Sequence, residues 1–159
     1  MQKEEQIKQI IKEIAEKTTF HTEDVAISCD DTDGSLWCSI KTKEPYFFIG
    51  KEGETLSAFN HLARRIIDKA TSNPETERSE QNIIIDVNDY QRKRIENLKT
   101  IAHMLAERAQ FFKSSIETDP MSPFDRRIIH EFLANKPNIK TESTGLGEGR
   151  RVVIKYIAS

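Results

Sequence analysis

Two stretches of this chain combine residue types and spacings suited to holding an anion. In Gly50-Lys51-Glu52-Gly53 the two glycines stand three apart, directly before a helical pattern, so the backbone can bend sharply and another chain can approach without meeting a Cβ. The N–H groups at that helix entrance face outward, where the helix dipole favours a phosphate. Lys51 adds a positive charge there and Glu52 opposes it. In Arg126-Arg127-Ile128-Ile129-His130 the arginine and the histidine are four apart and emerge from one face of a helix. A guanidinium offers forked donors to a phosphate, and an imidazole can add a hydrogen bond or stack on a base.

Each stretch also has a plainer use. A lone Gly-x-x-Gly is more often a tight loop before a helix, and an Arg and a His on one helix face are more often ordinary solvated side chains. Their surroundings decide the weight they carry, so the elements that position them come next.

Ile7, Ile10, Ile11 and Ile14 recur at spacings of three and four and predict an amphipathic helix that stops near Thr18-Thr19. Val25, Ile27 and Cys29 alternate with polar or small residues, as do Leu36, Cys38 and Ile40 beyond the turn-rich stretch from Asp30 to Ser35, which predicts a hairpin. The apolar run Tyr46 to Ile49 leads to the glycine loop. A helix follows, with Leu56, Phe59, Leu62, Ala63, Ile66 and Ala70 on one face. The polar segment Thr71 to Gln81 reads as a loop, and Ile83 to Val87 as a strand. The first unit is thus α-β-β-α-β.

The second unit opens with Asn88 as a helix cap, followed by a helix to about Phe112 whose Ile95, Leu98, Ala102, Leu105, Ala109 and Phe112 share a face. A short strand at Ser115 to Thr118 precedes Ser122, Pro123 and Asp125, which fit the cap, first and third positions of a helix running to about Ala134. Ile128, Ile129, Phe132 and Leu133 turn toward its core. Strands near 139–143 and 151–157, separated by the glycine-rich stretch 144–149, complete an α-β-α-β-β order. The fold class expected is α+β in two small domains, 1–88 and 89–159.

Composition narrows the function. The 159 residues are 36% hydrophobic and 31% charged, with 24 Lys and Arg against 26 Asp and Glu, which places the chain among folded soluble proteins. No run reaches the ~20 apolar residues of a membrane helix, and the amino terminus is charged where a signal peptide needs an apolar stretch, so a cytoplasmic location is expected. Cys29 and Cys38 form no Cys-x-x-Cys pair and are expected to be reduced. His21, His61 and His103 are scattered, no nucleophile has a placed base, and neither a zinc ligand set nor a Gly-x-x-x-x-Gly-Lys-Ser/Thr loop occurs. An enzyme is the least supported class, and no cofactor is expected. Trp37, Phe47 and Phe48 are read as core. The net charge of −2 conceals a division: residues 1–88 hold 11 Lys and Arg against 17 Asp and Glu, whereas residues 89–159 hold 13 against 9. Any polyanion should lean on the second half.

The segment Ile49-Gly50-Lys51-Glu52-Gly53-Glu54-Thr55-Leu56, with its flanking elements, resembles a KH domain of the bacterial type, over about residues 7–87. That resemblance implies a single strand of RNA clamped at Gly50, Lys51, Glu52 and Gly53, although Glu52 departs from the family's preference for basic residues between the glycines. Pro120 to His130, Thr141 to Gly145 and Arg150 to Ile154 are similar to the domain named for an arginine and a histidine separated by three residues, which binds single-stranded nucleic acid. Arg126 and His130 would be its signature pair, with Arg150 and Arg151 adding positive charge. The tandem resembles the Jag (SpoIIIJ-associated, KhpB-type) bacterial RNA-binding proteins. By that resemblance the ligand is single-stranded RNA, with single-stranded DNA as an alternative, in RNA regulation or chaperoning linked to cell elongation, division or sporulation. A small KH protein partner and an absent amino-terminal Jag domain are implied too. The competing expectation, drawn from the acidic first half and Glu52, is a protein-interaction adaptor whose KH unit pairs with another KH protein.

Overall fold

The computed structural model describes residues 2–29, 35–71 and 82–158. The chain divides into two compact units, 1–91 and 92–159, each mixed α and β, as expected. The tip of the predicted hairpin turn (residues 30–34) and most of the polar segment that reads as a loop (72–81) lie outside the described residues, as does the Cys29 side chain.

In unit 1, α1 (Gln2–Lys17), β1 (Asp24–Cys29) and β2 (Leu36–Lys41) are followed by a short helix α2 (Pro45–Ile49), a single 3-10 turn at Lys51–Gly53, α3 (Glu54–Thr71) and β3 (Ile83–Val87). The sheet order is β1-β2-β3, with β1 antiparallel to β2 and β2 parallel to β3. Ile7, Ile11, Ile14 and Ala15 of α1 and Leu56, Phe59, Ala63 and Ile67 of α3 form one core with Val25, Cys38, Ile40, Ile85 and Val87 of the strands. Burial there pushes the Cys38 thiol up to about 12, so it stays protonated and inert at neutral pH.

The buried face of α3 is rotated from the predicted one. Leu62 and Ile66 stand exposed, as does Ala70, and Ile67 takes the core position. The rotation follows from the edge of β3: the Asn60 side chain accepts the Ile85 N–H at 2.8 Å and donates to its C=O at 3.0 Å, and Arg64 donates to the Ile83 C=O at 2.8 Å. These polar residues of α3 satisfy an edge strand that would otherwise be left open.

In unit 2, α4 (Tyr90–Phe112), β4 (Ile116–Glu117), α5 (Pro123–Leu133), β5 (Ile139–Thr144) and β6 (Arg151–Tyr156) build an antiparallel sheet in the order β4-β6-β5. Its core joins Ala102, Ala106 and Ala109 of α4 to Ile129, Leu133, Ile139, Val152 and Ile154. Phe112 and Phe132, both expected inside, are exposed, and the small Ala106 occupies the inward position instead. The cap expected from Asn88 is also reassigned. The Asn88 side chain brackets the Thr42 N–H (3.1 Å) and C=O (2.9 Å), and the buried Asp86 accepts the Gln91 N–H at 2.7 Å, placing a carboxylate at the positive end of α4.

Candidate nucleic-acid interface

The glycine loop of unit 1 is built from backbone geometry. The Gly50 N–H donates to the Tyr46 C=O at 2.9 Å, ending α2, and Gly50 then adopts φ 74°, ψ −176°, a region open essentially to glycine alone. A Cβ at Gly50 would stand 2.1 Å from Thr55 Oγ1 and 3.0 Å from its backbone nitrogen. Gly53 (φ 83°) is buried, and Glu52 between them is left-handed at φ 52°, ψ 21°. Lys51 and Glu52 are exposed. The apolar run Tyr46–Ile49 is therefore helix, so the loop joins two helices. Its aromatic residues divide. Trp37 and Phe48 are core, as expected, but Tyr46 and Phe47 are 79% and 68% exposed.

The second site starts at Ser122, whose hydroxyl accepts the Asp125 N–H at 3.2 Å with Pro123 in the first turn, the predicted cap. The Asp125 carboxylate, almost fully buried, takes two hydrogen bonds from Arg94 of α4, at 2.6 and 3.0 Å, which fixes α5 against α4. One turn of α5 carries Arg126 inward along the surface, where its Nη1 donates to the Met121 C=O at 2.7 Å. The Met121 N–H donates to the Arg150 C=O at 3.1 Å. Met121 thus ties the backbone that carries Arg150 to the Arg126 guanidinium, and two predicted cations meet around one residue that sequence reasoning passed over.

Gly145 contributes to the same arrangement. At φ 91°, a Cβ on it would come within 2.9 Å of the Gly149 carbonyl and 3.2 Å of the Arg150 Cα. The loop can fold back under Arg150 only because residue 145 has no side chain. Arg150 is exposed. Arg151 is turned to Glu117 of β4 at 3.4 Å, so part of its charge is neutralised.

His130 is placed differently from Arg126. Its Nδ1 lies 2.7 Å from Thr141 Oγ1 and its Nε2 2.8 Å from Ser143 Oγ, two hydroxyls on alternate residues of β5. Both ring nitrogens are occupied within the fold, leaving the ring face for any outside contact. Partial burial first, and the Arg126 charge second, hold its pKa below the ordinary histidine value, so the ring is neutral at pH 7. Thr-x-Ser on a strand opposite a helical histidine was the available signal for this bracket. His21, His61 and His103 are all exposed. Among the described residues no His, Cys, Asp and Glu gather into a metal-holding group, and no helix is long and apolar enough to cross a membrane.

Residues 96–156 match the R-3-H domain family, whose name gives the arginine, the three-residue interval and the histidine. The match contains Arg126, His130, Met121, Gly145, Arg150 and Arg151. Beyond that match, the chain is similar to proteins named RNA-binding protein KhpB. It is 29% identical over 131 residues to that of Clostridium symbiosum, covering 82% of this chain and 56% of the relative. It is 36% identical over 110 residues to that of Bacillus subtilis strain 168, covering 68% and 50%. With that of Streptococcus pneumoniae strain D39 it shares 33% over 131 residues, covering 82% and 38%. The chain spans a third to just over half the length of the curated relatives it matches.

Proposed function

We propose that this chain is a non-enzymatic binder of single-stranded RNA, in which unit 2 secures phosphates and unit 1 acts as a KH-like clamp through Gly50 to Gly53. The supporting observation is the Arg-x-x-x-His domain match over the residues that gather Arg126 and Arg150 about Met121, shared with relatives named as RNA-binding. Arg126 keeps its other guanidinium nitrogens for a phosphate, and Arg150 stands in solvent. The glycine loop takes phosphate through backbone N–H groups, which suits an acidic unit better than a cluster of lysines would. His130 then serves to lock α5 onto β5. RNA regulation or chaperoning is the process that such a binder would serve.

The test is RNA affinity against salt. For single strands log K falls with log salt at a slope of about −0.7 per phosphate neutralised, so Arg126→Ala and Arg150→Ala should each make the slope shallower by about 0.7. Unchanged affinity and slope in both folded variants would overturn the assignment to unit 2. Crosslinking that is unaltered in a variant carrying Lys51→Asp and Glu52→Asp would leave unit 1 as scaffold.

A second reading, a protein adaptor pairing through unit 1 with a small KH protein, is favoured by Leu62 and Ile66 lying one turn apart and exposed on α3. An RNase-resistant partner with no copurifying RNA, seen by size exclusion from the native host, would replace the first reading with this one.

A further inference from the structure

We propose that unit 1 also holds one unstacked nucleobase, in a cleft beside Phe47 that lies outside the glycine loop. The inference rests on the reading of unit 1 as a single-strand binder and gives the same strand a second contact.

The cleft, about 290 Å³, opens where the chain leaving α1 meets the start of α2, and its walls include Phe20, His21, Thr42, Glu44, Phe47 and Phe48. That volume is at the lower limit of small-ligand sites, roughly 300–1,000 Å³, and suits a planar base better than a whole nucleotide. Its floor is fixed. Phe48 is buried, stacks on Phe20 with ring centroids 4.4 Å apart, and meets Phe59 edge-on at 4.9 Å. The rim is fixed as well: the Thr42 hydroxyl donates to the His21 C=O at 2.6 Å and accepts the Glu44 N–H at 3.1 Å, while Asn88 brackets the Thr42 backbone. The segments on either side of the cleft cannot part without breaking these bonds, so the site is preformed.

Phe47 is the exception to this packing. Two-thirds of it faces water, although it lines the cleft and sits on a short helix whose next aromatic, Phe48, is core. A ring so placed gains most from a planar, apolar partner, and stacking of a base on an aromatic side chain needs no particular sequence. Charge selects the base over the phosphate. Glu44 stands at the rim, and no Lys or Arg is among the described residues that line the cleft. A phosphate is better served at Lys51 and the backbone of Gly50, three residues past Phe47 and about 4.5 Å along the helix axis. One strand can therefore set a phosphate on the loop and an adjoining base on Phe47.

An abasic scan separates this site from the loop. A short single-stranded RNA is bound with each nucleotide in turn made abasic, and anisotropy is read for the wild type and for Phe47→Ala, a substitution at an exposed ring. One abasic position should weaken wild-type binding about 5–100-fold and lose that effect in Phe47→Ala, with the salt slope unchanged because no charge is removed. Phe47→Trp should keep the positional effect and Phe47→Leu should not. If every abasic position costs Phe47→Ala as much as wild type, the proposal is overturned. Should the variant with Lys51→Asp and Glu52→Asp then still lose binding, the loop reading survives alone; if neither variant changes RNA binding, both fall. Loss of a protein partner from Phe47→Ala with RNA binding intact assigns the cleft to that protein and overturns the proposal equally.

Discussion

The Arg94–Asp125 pair gives the sharpest test of how unit 2 holds its cations. Asp125 is only 5% exposed at its side chain, accepts two hydrogen bonds from one guanidinium, and belongs to the turn of α5 that also carries Arg126. Removing one partner of a buried pair costs about 3–5 kcal/mol because it strands the other charge. The Arg94 side chain is 29% exposed, so water screens part of that loss, and about 2–3 kcal/mol is expected for Asp125→Ala. For a unit of this size each kcal/mol moves the melting temperature by about 4–8 °C, which predicts a fall of roughly 10–20 °C. Far-UV circular dichroism with melting reads the change. Fluorescence of Trp37, the only tryptophan, reports unit 1 by itself. Arg94→Ala should behave similarly, and the double variant should cost well under the sum of the two, with a coupling of at least about 1 kcal/mol. Additive effects, or a loss below about 1 kcal/mol in Asp125→Ala, would refute the tether and with it the argument that α5 is oriented from α4.

Two further outcomes follow from the same unit. Because the folded state holds His130 below its ordinary pKa, the unfolded chain binds the proton more readily. The resulting stability is complete above about pH 6.5 and is lost as pH falls through the folded-state value. Melting temperature measured from pH 8 to 5 should drop more steeply for wild type than for His130→Gln, and equal slopes would remove His130 as the titrating group. Gly145→Ala, forced to φ 91° against the Gly149 carbonyl, should cost about 1–3 kcal/mol and weaken RNA binding, whereas Gly149→Ala, with nothing within 4 Å of its Cβ, should do neither. Similar behaviour of the two variants would show that the loop does not set Arg150.

The order of elements was legible because each has its own hydrophobic period, about 2 for the strands and about 3.6 for the helices, and the Ser122 cap was legible because its chemistry is local. What was misread depended on partners distant in sequence. On α3 the apolar residues alone centre the stripe between Leu62 and Ile66. Asn60 and Arg64 pull the true face the other way by reaching the edge of β3, a pairing that no local pattern announces. Asn88 has the composition of a helix cap, yet its side chain is taken by Thr42, 46 residues away, and Asp86 supplies the cap from inside the strand. Phe47 and Phe48 are chemically identical neighbours, and only the turn of α2 decides that one is core and the other exposed.

The site itself shows why a spacing can locate residues without assigning their work. Four residues apart on α5, Arg126 and His130 share a face, and that much is dictated by helical geometry. The face is not uniform, however. Its amino-terminal end meets the main chain of Met121 and, through it, Arg150, so a guanidinium there keeps donors for an outside anion. Its carboxyl-terminal end meets β5, where Thr141 and Ser143 occupy both nitrogens of the ring. The Arg126 charge also disfavours a second positive charge on His130, so the pair cannot act as two cations at neutral pH. The same three-residue interval therefore divides the labour: the arginine faces the ligand, and the histidine, held neutral by its burial and its neighbour, fastens the helix that presents it.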